Sequence, residues 1–213
     1  AKLRDRIKHS ELPPVKFTTS VVEGVPEEAI VELAKEKKPE LIVMGTRESG
    51  KKEKELIGSV TAEVLDSCRF PVFTVPESAD ISRTDDIRHV VFFSNLDQED
   101  ILALDAIYRF FTDERLKITI VNVPSRKSII NRKSTSDRLL AYCTEHYPLY
   151  TFRLADLSLN NVADDFHAIE RQQPIDLIAV PNKKKNIFAR LFNPSIAHKM
   201  LFYSDIPMMV IPV

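Results

Sequence analysis

The stretch LIVMGTRESGKKEKELIGSV, residues 41–60, is the part of the chain best suited to bind a ligand. It reads as a short buried strand that ends at Gly45 and Thr46, then a charged segment, then Gly58 and Ser59 at the start of an amphipathic helix. Backbone N–H groups at such a strand-to-helix junction commonly bind phosphate. The pattern therefore indicates a phosphate-binding loop, or a loop of that shape whose glycines only end a strand and begin a helix.

Reactive side chains elsewhere in the sequence form no known catalytic or metal-binding pattern. The five histidines are scattered and the two cysteines lie far apart, and the sequence has no HExxH, CxxC, GxSxG or GxxxxGK[ST] motif. An enzyme needs a nucleophile, a base or a metal held in one constellation. We therefore expect neither a catalytic site nor a metal site.

The composition is that of an ordinary soluble globular protein. Of the 213 residues, 44% are hydrophobic and 29% are charged, and the formal net charge is −1. A nucleic-acid or membrane-surface binder usually has a basic excess, so we expect neither partner. Apolar runs stay below the roughly 18 residues of a membrane span, and the first ten residues do not resemble a signal peptide. With only two cysteines, we expect a reducing, cytoplasmic location.

Short apolar runs alternate with helical patterns along the chain, which is typical of βα units and a parallel sheet. Helices are predicted between the strands, including one over 25–38 and one over 96–111. The pattern predicts strands over 15–22, 40–45, 71–76, 88–94, 116–123, 149–154, 175–180 and 207–212.

The sequence also repeats itself at a constant offset of 136 residues, because 41–76 aligns with 177–212 without a gap. The aligned positions include Leu41 with Leu177, Ile42 with Ile178, Ser59 with Ser195, Leu65 with Leu201, Pro71 with Pro207 and Pro76 with Pro212. We interpret the chain as two copies of one βα domain.

The two copies differ in completeness. The second, over 88–213, has five predicted strands, whereas the first, over 1–76, has three, and the polar stretch 77–87 is the linker between them. The offset places the counterpart of the second copy's first strand before residue 1. The first copy is therefore expected to be a truncated β3-α3-β4-α4-β5 segment.

The stretch ELIVMGTRESGKKEKELIGSVTAEVLDSCRFPVFTVP resembles the end of a universal stress protein domain, and EGVPEEAIVELAKEKKPELIVMG is similar to the preceding helix and strand of that family. The family's nucleotide signature is G-x2-G-x9-G-[S/T], between the fourth strand and the fourth helix. Once the repeat is accepted, the resemblance covers nearly the whole chain. It implies a tandem universal stress protein with an α/β fold: two copies of an open parallel-sheet βα domain of strand order 3-2-1-4-5, the first copy truncated. Some members bind ATP at the signature, and others have lost it.

The resemblance implies that Gly45, Thr46, Gly58 and Ser59 form the candidate ATP phosphate loop. The second glycine of the signature is Glu48 in this chain. A carboxylate there repels phosphate by roughly 4 kcal/mol before screening, for a separation of about 4 Å and an effective dielectric of about 20. ATP is therefore not an assured cofactor of the first copy.

The second copy departs further from the signature, because its positions are Pro181, Lys184, Pro194 and Ser195. Members that bind nucleotide use an aspartate at the end of the first strand, and the equivalent here is Asn95. Neither copy is therefore expected to hold a whole nucleotide site.

Two functions follow from these expectations. The first is a non-catalytic, cytoplasmic module of the stress response that acts through its surfaces and needs no cofactor. The alternative is a switch in which ATP on the 45–59 loop controls dimerisation or partner choice. Slow ATP hydrolysis is a third and weaker alternative.

The last strand of each copy, PVFTVP at 71–76 and PMMVIP at 207–212, is an edge strand in the order 3-2-1-4-5. Its free backbone groups can pair with another strand. We expect these two edges to pair within one chain as a pseudo-dimer. A homodimer that covers the exposed part of the truncated copy is a further expectation, and the sequence does not identify protein partners.

Overall fold

The computed structural model of the chain describes residues 16–46, 58–79, 87–94, 96, 98–111, 115–122, 132–157, 161–182 and 205–213. Its elements in chain order are α1 (Pro26–Lys37), β1 (Ile42–Gly45), α2 (Ser59–Ser67), β2 (Val72–Val75), β3 (His89–Ser94), α3 (Glu99–Phe110), β4 (Lys117–Asn122), α4 (Arg132–His146), β5 (Thr151–Asp156), α5 (Val162–Gln172), β6 (Leu177–Asn182) and β7 (Met208–Pro212).

The strands form one open sheet in the order β1-β2-β7-β6-β3-β4-β5. Neighbouring strands run parallel except β2 and β7, which are antiparallel with Phe73 opposite Met209. Strands β3 to β7 alone have the order β5-β4-β3-β6-β7, which corresponds to the predicted 3-2-1-4-5. The predicted α/β fold with an open, mostly parallel sheet is confirmed.

The helix predicted over 25–38 forms as α1 because its ends have suitable residues. Pro26 stands in the first turn, where its missing N–H is not needed, and Glu27 and Glu28 favour the positive end of the helix dipole. Lys38 ends the helix in a left-handed conformation with φ of 48°, and its N–H donates to the carbonyl of Ala34. Ala34 is the buried residue of this helix, and the partly buried Ile30 and Val31 pack against the same apolar cluster.

The strand predicted over 15–22 is wrong for residues 16–22, which lie outside any strand. In the order 3-2-1-4-5 a third strand pairs only with the second, and no second strand stands beside these residues in the described part of the first copy. A lone extended segment has no ladder to join, so its composition cannot make it a strand. Val21 is accordingly 100% exposed and Val22 is 54% exposed.

Apolar clusters fill both faces of the sheet. On one face α1, α2 and α5 cover buried residues from both halves of the chain, so that Leu65 and Val72 share a cluster with Val180 and Val210. On the other face α3 and α4 cover a second cluster, which surrounds Phe92. The first cluster joins the halves into one hydrophobic core.

Strand β1 forms one edge of the described sheet. The N–H of Ile42 donates to the carbonyl of Pro71 at 2.9 Å and the N–H of Thr46 to that of Val75 at 3.1 Å. Because successive residues of a strand point their backbone groups to opposite sides, the N–H groups of Val43 and Gly45 face away from β2. Val43 is 64% exposed, and no described strand pairs with this side of β1.

Candidate functional site

The two ends of the predicted phosphate loop meet between β1 and α2. The N–H of Gly58 donates to the carbonyl of Thr46 at 2.7 Å. The hydroxyl of Thr61 donates to the carbonyl of Gly45 at 2.9 Å. Gly45, Thr46 and Gly58 are therefore brought together, and Ser59 follows as the exposed first residue of α2.

Helix α2 leaves only part of its N-terminus free for an anion. The first helical bond runs from the N–H of Ala62 to the carbonyl of Gly58 at 3.0 Å, so the amides of Ser59, Val60 and Thr61 have no partner within the helix. The N–H of Gly58 is already bonded to Thr46. A Cβ on Gly58 would lie 3.7 Å from the carbonyl oxygen of Thr46, an ordinary contact, so this position does not need glycine for space.

The middle of the loop lies outside the described residues. This applies to Glu48, so its predicted repulsion of phosphate stays a prediction. In the second copy Asn95, Lys184, Pro194 and Ser195 also lie outside the described residues.

The described end of the second predicted loop, at the end of β6, makes hydrogen bonds to other parts of the chain. Pro181 is the second-last residue of β6 and has no N–H to offer a phosphate. Asn182, which lies 136 residues after Thr46, donates from Nδ2 to the carbonyl of Leu65 in α2 at 3.1 Å. The carbonyl of Asn182 accepts the N–H of Val213 at 3.0 Å. The end of β6 therefore contacts α2, which lies in the first part of the chain.

Polar residues end three neighbouring strands of the second copy in register: Ser94 in β3, Asn122 in β4 and Asp156 in β5. The hydroxyl of Ser94 donates to Oδ2 of buried Asp100 at 2.6 Å, and Nδ2 of Asn122 donates to the carbonyl of Ser94 at 2.9 Å. The N–H of Leu96 donates to the Ser94 hydroxyl at 2.9 Å. Sequence reasoning missed this network, although a polar residue at the end of each apolar strand was a visible signal.

A cavity of about 350 Å³ opens beside this network at the carboxyl ends of β4 and β5. Its lining consists of Leu96, Ile120, Asn122, Ser136, Leu154, Ala155 and Asp156. Among the described residues of this lining the polar groups are an amide, a hydroxyl and a carboxylate. These groups can hydrogen-bond a small neutral or cationic group.

A second set of buried polar residues lies at the opposite end of the strands, where the strands begin. His89 is fully buried, with Nδ1 3.0 Å from the carbonyl of Pro174 and Nε2 2.8 Å from the hydroxyl of Thr119. Burial lowers the pKa of His89, and the charges of Lys117 and Arg153 lower it further. A neutral ring that donates from Nδ1 and accepts at Nε2 satisfies both contacts, so His89 has a structural role.

Two buried nucleophiles, Cys143 and Tyr147, are held in their protonated, unreactive forms. Burial raises the pKa of the Cys143 thiol to about 12. Burial and the hydrogen bond from Tyr147 to Asp105 raise the pKa of that phenol. The described residues include no group of three His, Cys, Asp or Glu side chains that could hold a metal ion. Within the same residues, no helix is long and apolar enough to cross a membrane.

Universal stress proteins are among the known proteins that this chain is similar to. The model of the universal stress protein family matches residues 1–76. A universal stress protein from Methanocaldococcus jannaschii is 46% identical over 61 residues, which are 29% of this chain and 36% of that protein. This chain thus spans 36% of the length of the curated relative that it matches.

Solved structures share the fold over nearly the whole chain. A universal stress protein from Archaeoglobus fulgidus matches with a TM-score of 0.69 and 15% identity, covering 99% of this chain and 75% of that one. A functionally unknown protein from Pseudomonas aeruginosa matches with a TM-score of 0.61 and 9% identity, covering 99% of this chain and 76% of that one. At these identities the likeness shows the fold alone.

Proposed function

We propose that this chain is a universal stress protein and a non-catalytic regulatory module of the stress response, because its residues 1–76 match that family's model and part of a curated member. It acts through protein surfaces and carries nucleotide loops that no longer hold ATP. The proposal includes two domains, over 1–76 and 88–213, joined by a linker over 77–87.

The observation that carries this proposal is the bond between the N–H of Gly58 and the carbonyl of Thr46 at 2.7 Å. This bond occupies a glycine amide of the signature that a phosphate would need.

The antiparallel pairing of β2 with β7 supports the tandem organisation. Val72 faces Val210, Phe73 faces Met209 and Thr74 faces Met208. A two-fold relation between equal domains produces this arrangement, in which the last strand of each domain meets the other. We propose that the pair is a pseudo-dimer within one chain.

The proposed location is a reducing compartment, the cytoplasm. Both cysteines, Cys68 and Cys143, are free thiols and buried. The test is to unfold the protein from its native host in denaturant that contains an alkylating reagent. We expect both cysteines to be recovered as alkylated thiols. A disulfide-bonded fraction would count against this location.

Calorimetric titration of the chain with Mg-ATP tests the proposal, together with an assay of phosphate release. We expect no saturable heat at a concentration that detects a dissociation constant of about 1 mM, and no release above the buffer rate. A saturable isotherm would overturn the proposed loss of ATP binding.

Ser59→Asp is the matched variant for that titration. A carboxylate at the first position of α2 favours the helix dipole, so the fold is retained, but it repels phosphate. If the unmodified chain binds ATP and Ser59→Asp does not, the ligand lies at the start of α2. If both bind ATP equally, the ligand lies elsewhere.

The alternative is a switch in which ATP binds Gly45, Thr46, Gly58 and Ser59 and controls dimerisation or partner choice. The meeting of the loop ends favours it, because the free amides of the first turn of α2 then lie beside the end of β1. Bound ATP would supply a polyphosphate charge that holds this junction together. On this alternative Glu48→Gly strengthens ATP binding in the same titration, because it removes a carboxylate from the loop.

A further inference from the structure

Two positively charged side chains, those of Lys117 and Arg153, lie on neighbouring strands of the second copy and meet the end of α5. Lys117 begins β4, and Arg153 in β5 stands opposite Thr119. Because side chains alternate between the faces of a sheet, Lys117 and Arg153 are on the same face. Nζ of Lys117 donates to Oε1 of Gln173 at 2.5 Å, and Nη1 of Arg153 donates to Oε1 of Gln172 at 2.6 Å. Both cations are therefore bonded to neutral amides.

Neither cation has an acidic partner. Among the described residues, neither Lys117 nor Arg153 forms an ion pair. Glu170 of α5 pairs instead with His167 at 3.2 Å. Asp176, which precedes β6, accepts two backbone N–H groups, at 3.0 and 2.9 Å. The two positive charges therefore have no counter-ion in the described part of the chain.

The guanidinium of Arg153 also has one edge without an acceptor. Nε and Nη2 are buried and have no hydrogen-bond partner in the described structure. These two nitrogens form the side of a guanidinium that can bind a carboxylate through two parallel hydrogen bonds. A buried N–H without an acceptor is costly, so this edge favours an anion that reaches it.

The positive potential of this cluster extends to the neighbouring strand. Burial is the main cause of the lowered pKa of His89, and the charges of Lys117 and Arg153 lower it further. His89 itself is not available to a ligand, because both of its ring nitrogens are already bonded within the chain. A positive potential at a partly buried position is the electrostatic condition for binding an anion.

We propose that Arg153 and Lys117 form a binding site for a carboxylate, at the end of the sheet where β3, β4 and β5 begin. The amide oxygens of Gln172 and Gln173 occupy the positions that the oxygens of this carboxylate would take, since an amide and a carboxylate have the same planar shape. The ligand displaces the exposed side chain of Gln172, and the half-buried side chain of Arg153 turns its unpartnered edge toward the ligand.

Titration of the chain with sodium succinate tests the proposal, with sodium chloride at equal ionic strength as the control. The readout is the Nε–H signal of Arg153 in a nitrogen-15 spectrum of the arginine side chains, assigned by its loss in Arg153→Met. We expect this signal to shift saturably with succinate, with a dissociation constant on the order of 1 mM. No shift, or an equal shift with chloride, would overturn the proposal.

Lys117→Met and Arg171→Met are the matched pair of variants for this titration. Each removes one positive charge, but Arg171 is an exposed residue in the last turn of α5 and is not part of the proposed site. We expect Lys117→Met to weaken succinate binding about tenfold and Arg171→Met to leave it unchanged. Equal weakening in both would mean that overall charge alone attracts succinate, which would overturn the proposal.

Gln172→Glu supplies a carboxylate from the chain itself. The helix dipole disfavours a negative charge at the end of α5, so a gain in stability must come from the cations. We expect Tm to rise by about 2–4 °C in buffer without carboxylates, and succinate binding to be lost. In Arg153→Met the same substitution should give no rise. An unchanged Tm in the otherwise unmodified chain, or an equal rise in both, would contradict the proposal.

The source of the carboxylate is distinguished by a second ligand, a blocked oligoglutamate peptide, in the same spectrum. Saturation at a lower concentration than succinate would indicate an acidic segment of a protein partner. Saturation at the same or a higher concentration would indicate a small carboxylate. A chain that binds neither ligand would overturn the proposal.

Discussion

The hydroxyl of Thr61 makes a hydrogen bond that joins the start of α2 to the end of β1. Removing this hydroxyl therefore tests the candidate site most directly. Thr61 is 5% exposed and donates to the carbonyl of Gly45 at 2.9 Å. Thr61→Val keeps the shape of the side chain and removes the donor. We expect the free energy of unfolding to fall by about 1 kcal/mol.

The magnitude follows from the surroundings of the acceptor. A buried carbonyl left without a donor adds its own desolvation penalty, which raises the loss to roughly 1–3 kcal/mol. Gly45 is exposed, however, so water can replace the lost hydroxyl and the loss stays near the lower value. For a chain of this size a loss of 1 kcal/mol corresponds to a fall of about 2–4 °C in Tm.

Thr74→Val is the matched control for this measurement. Thr74 is also buried, and its hydroxyl donates to the carbonyl of Met208, but at the longer distance of 3.3 Å. It lies in a strand, where valine is favoured, so we expect a change within about 0.5 kcal/mol. Urea unfolding followed by circular dichroism measures both variants. Equal losses, or no loss in Thr61→Val, would refute the view that this bond holds the loop ends together.

Three further measurements concern buried polar groups. The folded-state pKa of His89 is lowered, so below about pH 6.5 the unfolded state binds more protons than the folded state. The chain should therefore lose stability as the pH falls toward 5, by up to about 1.4 kcal/mol per pH unit. His89→Gln should flatten this pH dependence when it is measured by urea titration. Nε and Nη2 of Arg153 are buried without a hydrogen-bond partner in the described structure. Arg153→Met should therefore leave the free energy of unfolding unchanged or raise it by about 1 kcal/mol. A clear fall in Tm in thermal unfolding would indicate that these atoms have a partner. Cys143, with a pKa of about 12, should be alkylated at pH 8 about a thousandfold more slowly in the folded chain than in denaturant, because its thiolate fraction is smaller by that factor. Mass spectrometry records both rates, and similar rates would contradict the burial of this thiol.

Strand positions could be predicted from the sequence where a strand is buried on both faces. The runs that became β3, β4, β6 and β7 are mostly apolar, and their parallel orientation to one another follows from the βα alternation. The segment 16–22 has equally good strand residues and still lies outside any strand. Composition cannot report whether a pairing partner exists, and a strand forms only where one does.

The candidate site was predictable in part for a related reason. The strand-to-helix pattern indicated the positions of Gly45 and Gly58, because that pattern can be read from neighbouring residues in the sequence. The bond that occupies the N–H of Gly58 joins residues on either side of the loop, and the side chain of Asn182 contacts α2 of the other copy. Such contacts depend on three-dimensional placement, so no local pattern indicated them.

The position of β7 between β2 and β6 has a consequence for how the molecule folds. β7 follows every other described strand in the sequence, and its bonds to β2 join residues that are 134 positions apart, as in Thr74 and Met208. Contacts of such long range form late and slowly, because a large loop must close first. During synthesis β2 and β6 wait with unpaired edges until the last strand emerges, and this interval is when a chaperone or a neighbouring nascent chain can bind them.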